Sequence, residues 1–172
     1  QIKQENEGTF ISQTKFANEI IKKFGTKNAK SIRTPMNTST KLDKDDDGKP
    51  IDEKKYRGMI SISHYLTTFK PDIMFVLCLC ARFQSTPKES HLIALKRVIR
   101  YLKSTLDLGH WYAKGTTFEF VGYSNADYVG CKVDRKSTSG TCHFLGHSLV
   151  SWSSKNLNSD FVLGFCSLVG QK

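Results

Sequence analysis

Thr117-Phe118-Glu119-Phe120-Val121-Gly122-Tyr123-Ser124-Asn125-Ala126-Asp127 decides the fold class, because Phe118 and Phe120 recur every second residue on one face. That is the period of a strand with one face packed. Just upstream, His110 to Ala113 is a second short strand-like run, and the Lys114-Gly115 pair between them supplies a turn. The two runs are expected to form a hairpin. Downstream, Gly140 to Phe144 and Ser148 to Ser154 repeat the pattern around a short Leu145-Gly146-His147 connection. The C-terminal third therefore reads as a small antiparallel meander.

Moving outward toward the N-terminus, the period changes near Gly109 from two to the three-to-four spacing of helices. Thr86-Pro87-Lys88-Glu89 has the form of a capping box with proline at the first helical position, opening a long helix that ends near Gly109. Pro71 suits the first turn of a preceding helix through Phe75, Leu79 and Phe83, and Asp52 can cap one carrying Tyr56, Met59, Ile60 and Ser63. Near the N-terminus, Ser12 can cap a helix with Phe16, Ile20 and Phe24 on one face and Gly25 as its stop.

Between Lys30 and Glu53 the composition turns to Ser, Thr, Asn, Asp, Lys and Pro without a sustained period, which predicts a linker. Asp43, Asp45, Asp47 and Gly48 match the first half of a calcium-binding loop. The second half fails: Lys54 stands where a bidentate glutamate belongs, and Pro50 interrupts the run. The five cysteines have no CxxC spacing, and Cys131, Cys142, His143 and His147 lack finger spacing, so no metal site is expected and a reducing, intracellular compartment fits best. No stretch approaches the roughly 20 apolar residues of a membrane span. The apolar Phe161 to Val169 run falls well short of that, and no membrane partner is expected.

The formal net charge of +10 favours an acidic partner, of which nucleic acid is the commonest for a basic chain. At about 100° per residue, Leu92, Leu95, Val98, Ile99 and Leu102 gather on one side of the long helix. Lys96, Arg97, Arg100 and Lys103 fall on an adjoining arc. Such an arc serves either as a solvated face or as a phosphate-contacting surface of sequence-independent, salt-sensitive affinity.

Several motifs, in order, carry a family resemblance: Gly8-Thr9-Phe10-Ile11-Ser12-Gln13, Lys22-Lys23-Phe24-Gly25, Thr34-Pro35-Met36, Arg57-Gly58-Met59-Ile60, Pro71-Asp72-Ile73-Met74-Phe75, Lys96-Arg97-Val98 and Ser151-Trp152-Ser153-Ser154-Lys155. With Gly122-Tyr123-Ser124-Asn125-Ala126-Asp127 and Arg135-Lys136-Ser137-Thr138-Ser139-Gly140, the series resembles copia-type retrotransposon Pol polyproteins from about Gln1 to Lys155. The resemblance places the chain after the reverse transcriptase palm, over the thumb and connection, and into the start of ribonuclease H. It implies RNA-directed DNA synthesis and hybrid-RNA degradation for the parent protein, with magnesium as its ion. It carries over no polymerase carboxylate, since no Tyr-x-Asp-Asp occurs here.

In the family's Tyr-Ser-Asp-Ala-Asp motif the first acid holds catalytic magnesium, and here that position is the neutral Asn125. Asp127 is the nearby acid, two residues on and about 6 to 7 Å further along a strand. The glutamate segment that should follow Ser154-Lys155 is absent, and positions 156 to 172 contain no glutamate.

The expectation is thus an α+β chain: a helical thumb/connection-like region over residues 1–109 with a linker at 30–53, a partial ribonuclease H-like sheet over 110–155, and a divergent apolar tail over 156–172. Neither catalysis nor a cofactor is expected of this chain alone. The candidate nucleic-acid contacts are Lys96, Arg97, Arg100, Lys103, Arg135 and Lys136, toward RNA, DNA or their hybrid, with the rest of a Pol polyprotein as a possible partner. A sheet lacking its covering helix would expose an apolar face and an edge, making the C-terminal half marginal in stability.

Overall fold

A computed structural model describes residues 1–37, 42–115, 119–127 and 138–156. Among these the chain is mixed α and β, with four α-helices and two three-stranded antiparallel sheets. It divides into two compact units: a helical one from Ser12 to Leu108 with Gln1, and a stranded one formed by Ile2–Ile11 together with the chain from Gly109 onward. None of the described helices is long and apolar enough to cross a membrane.

The helical unit begins with α1 (Thr14–Lys23). Gln13, not Ser12, occupies its N-cap and makes no side-chain capping bond. The Ser12 hydroxyl instead accepts from Thr14 at 3.3 Å, so a side chain expected at the cap is spent just ahead of it. Ala17, Ile20 and Ile21 are buried, and Gly25 takes φ +66°, the left-handed stop expected of it. Helix α2 (Glu53–Leu66) starts as its sequence implies: the Asp52 carboxylate accepts from the Lys55 N–H at 3.1 Å.

After a 3-10 turn at Pro71–Ile73 comes α3 (Met74–Ala81). Its packed side differs from the expected one: Met74, Val76, Leu77 and Cys80 are buried while Phe75 is 45% exposed. The helix is apolar all round, so no stripe in the sequence singles out the inward face. Burial pushes the Cys78 thiol up to about 11 and the Cys80 thiol up to about 12, so both are inert packing groups.

Helix α4 (Glu89–Ser104) is the axis of this unit. Pro87 lies outside the helix, and the return bond of the cap comes from His91, whose Nδ1 accepts the Lys88 N–H at 3.0 Å. Leu95, Val98, Ile99 and Leu102 are fully buried, each stabilising the fold by about 1.5–3 kcal/mol. The helix stops at Ser104, short of Gly109. Thr105 becomes its C-cap, its hydroxyl turning back to the carbonyls of Tyr101 and Leu102. Tyr56, buried completely, donates to the Cys80 carbonyl at 2.9 Å and ties α2 to α3.

In the stranded unit, β1 (Ile2–Glu5), β2 (Gly8–Ile11) and β3 (His110–Ala113) form one sheet in that order. Here the expected hairpin is corrected. His110–Ala113 pairs with Gly8–Ile11, with Gly8 opposite Ala113 and Ile11 opposite His110, rather than with the strand that follows it in sequence. Gly8 permits the close approach: a Cβ there would lie 2.5 Å from the Tyr112 carbonyl oxygen and 2.6 Å from the Trp111 ring. The N-terminal hairpin thereby groups with the later strands, not with the helices.

The second sheet is the meander β4 (Phe120–Asp127), β5 (Thr138–Leu145) and β6 (Ser148–Asn156). Gly146, at φ +57°, makes the β5–β6 turn. His110 of β3 stacks on the buried Trp152 of β6 at 5.4 Å, and the Tyr112 hydroxyl donates to the Leu149 carbonyl at 3.2 Å, joining the two sheets within this unit. Phe120 and Tyr123 stay exposed on β4 at 64% and 60%.

Candidate nucleic-acid interface

The four cations expected on one arc lie on α4, but their surroundings differ. Lys96 is exposed; Arg97, Arg100 and Lys103 are half-buried under the segment that leads out of α1. Lys103 donates to the carbonyls of Lys27 at 2.7 Å and Ala29 at 3.0 Å. One turn earlier, Arg100 Nε donates to the Lys30 carbonyl at 2.9 Å. Another turn earlier, Arg97 Nη2 donates to the Thr34 hydroxyl at 2.9 Å. Ser104 adds a bond to the Ile32 carbonyl at 2.8 Å.

Residues 27–34, which include the start of the expected linker, form no helix or strand, yet they are fastened rung by rung, running antiparallel to the helix. Residues three apart on an α-helix share a face, so the 97, 100, 103 spacing makes the ladder possible. The partners are neutral carbonyls and a hydroxyl. They hold the side chains without cancelling charge, and between Glu19 and Asp43 the sequence holds no acid. Lys22, Lys23, Lys27, Lys30 and Arg33 in this stretch are all exposed. The acid-free run from Ile20 to Leu42 is the sequence signal that marks them.

Beside the ladder lies a cleft of about 140 Å³ lined by Ile32, Met36, Leu42, Val76, Ile93 and Arg97, among others. Arg97 Nε is buried there without a hydrogen-bond partner.

The aspartate-rich loop is also engaged. The Lys88 ammonium donates to the carbonyls of Gly48 at 2.9 Å and Asp46 at 3.2 Å, while the Asp45 carboxylate accepts from Ser90. His91, fully buried and stacked on Phe83 at 4.1 Å, bonds through Nε2 to the Asp43 carbonyl at 2.7 Å. With Nδ1 accepting from Lys88, Nε2 must carry the proton. The loop carbonyls thus face an ammonium and an imidazole N–H of the same chain.

Asn125 sits exposed on β4 opposite Gly140 of β5, which in turn faces Ser154 of β6. No carboxylate shares that row. Asp127 ends β4, its backbone paired with Thr138. Among the described residues no three His, Cys, Asp or Glu side chains converge as an ion site, and a neutral amide beside glycine and serine does not fit the donor set that paired magnesium ions require. Arg135, Lys136 and the tail over 157–172 lie outside the described residues.

Comparison with known proteins puts this geometry in context. The chain is 38% identical over 148 residues to the retrovirus-related Pol polyprotein from transposon RE1 of Arabidopsis thaliana, covering 86% of this chain and 10% of that polyprotein. It is 36% identical over 155 residues to the corresponding polyprotein from transposon RE2, covering 90% and 11%. It is 33% identical over 159 residues to the uncharacterized mitochondrial protein AtMg00810 of the same plant, covering 90% of this chain and 64% of that protein. No family model and no solved structure matches. The chain spans about a tenth of the length of the Pol polyproteins it matches. Similarity at this level across most of its residues means that the chain belongs to the Pol polyproteins of copia-type retrotransposons, corresponding to one segment of them.

Proposed function

We propose that this Pol-derived segment does not catalyse on its own and that its remaining activity is sequence-independent contact with nucleic acid. In this reading the helical unit corresponds to the thumb and connection of a reverse transcriptase, and the β4–β5–β6 meander to the opening strands of a ribonuclease H-like sheet. The Asn125, Gly140, Ser154 row carries the catalytic half of the proposal. Hybrid cleavage needs several carboxylates around two divalent ions, which activate water and stabilise the leaving oxygen. A neutral amide at the first position removes charge where it is needed most. The test is incubation of the purified chain with an RNA–DNA hybrid and magnesium. Intact RNA is expected, and metal-dependent fragments would overturn the reading.

The binding half is supported by the acid-free cationic stretch laid along α4. Counterion release makes such contact strongly salt-dependent. Affinity for the hybrid that is unchanged between low and high salt would remove this half of the proposal.

A further inference from the structure

We infer, building on the nucleic-acid reading above, that the phosphate-contacting groups are Lys27, Lys30 and Arg33 of the segment after α1, flanked by Lys22 and Lys23, and that Arg97, Arg100 and Lys103 of α4 position that segment rather than touch phosphate. Three observations carry this. First, three α4 side chains already hold the segment: Lys103 on two carbonyls, Arg100 on one and Arg97 on a hydroxyl, at 2.7–3.0 Å. A phosphate taking those same N–H groups must break these bonds. Second, the five outer cations are exposed, so their ammonium and guanidinium groups meet a polyanion without rearrangement.

Third, the ladder bonds are made to carbonyl and hydroxyl oxygens, which leave the positive charge of α4 uncompensated beneath the segment. None of the ladder partners named above is a carboxylate. The inner cations therefore add to the outward field while holding the outer ones in place. A segment that would otherwise lose conformational freedom on binding is already fixed at four points, which lowers the ordering cost of contact. The partner this surface fits is a polyanionic backbone read by charge and spacing, not by base identity.

The experiment measures binding of the full chain to a fluorescein-labelled RNA–DNA hybrid across a salt series. Lys27→Gln/Lys30→Gln/Arg33→Gln is expected to make the slope of log affinity against log salt shallower by roughly 2.7, at about 0.9 per lost phosphate contact. The charge-preserving Arg100→Lys removes the Nε–H that holds Lys30. It should weaken binding at unchanged net charge and speed tryptic cleavage after Lys27, Lys30 and Arg33. Bound hybrid should slow that cleavage in the unaltered chain, a readout independent of any variant's folding. If the unaltered chain shows no salt-dependent binding, the nucleic-acid reading itself fails. If it binds, but the loop triple variant keeps the full slope or the hybrid leaves tryptic cleavage unchanged, the division between contacting and positioning residues is wrong while the broader reading stands.

Discussion

The Lys70 ammonium donates to the Thr105 carbonyl oxygen at 2.6 Å from a position only 5% exposed, which places a cation against the C-terminal end of α4. The negative end of the helix dipole favours it there. Burial nevertheless holds the Lys70 pKa below its usual value, with Asp72 pulling the other way. Below 10.5 the unfolded chain therefore binds more protons at this residue than the folded one does, so its contribution to stability rises with pH up to that value. Urea midpoints of the unaltered chain should gain on those of Lys70→Met as pH climbs from 8 toward 10.5. A constant gap would contradict the assignment.

Tyr101 behaves oppositely. Burial first, and its bond to Asp72 second, push the phenol up to about 12. Stability from this group is whole below pH 10 and falls as the pH rises through 12. In an absorbance titration at alkaline pH, Tyr101→Phe should remove one late-ionising phenol and leave the earlier part of the curve unchanged. Loss of an early one instead would mean that Asp72 is not its partner in solution.

At the start of α2 the Asp52 cap is a single bond at 3.1 Å to the Lys55 N–H. Asp52→Ala is expected to cost about 0.5–2 kcal/mol in urea unfolding of the helical unit. Ser12→Ala, at a residue that does not cap α1, should leave the N–H groups of that helix with their hydrogen-exchange rates unchanged. Faster exchange in the first turn of α1 would restore Ser12 to the capping role.

Asn125→Asp puts one carboxylate into a row whose other members are Gly140 and Ser154. One acid does not hold two ions. The variant is expected to show neither magnesium-dependent thermal stabilisation nor hybrid cleavage at millimolar magnesium. Recovery of cleavage by this single change would mean that other acids of the chain complete the site.

What the sequence made readable was mostly local. Asp52 capping α2, Gly25 ending α1 and the β5–β6 hairpin about Gly146 each depend on neighbours a few residues away, and local chemistry determines them. The partner of His110–Ala113 was not readable, because a short alternating run pairs equally well with the strand after it or with one far earlier. The close approach at Gly8 and the His110–Trp152 stack select the distant partner. The inward face of α3 was hidden by its uniform apolarity.

The candidate interface divides the same way. Periodicity located Lys96, Arg97, Arg100 and Lys103 on α4. Two of them, Arg100 and Lys103, bond backbone carbonyls, which every residue carries and no sequence pattern marks, so the fastening of the 27–34 segment to α4 emerged only with the fold.

The pairing of Ile11 with His110 has a consequence for synthesis on the ribosome. The β1–β2 hairpin leaves the exit tunnel ahead of the helices, but β2, the central strand of the sheet, waits for α1 through α4 to be translated before β3 arrives to close the ladder. At about 5–20 residues per second that delay is on the order of 5–20 s. Throughout it, the open side of Gly8–Ile11 is available to any other extended polypeptide emerging nearby, so crowded polysomes are where mispairing of nascent chains should begin.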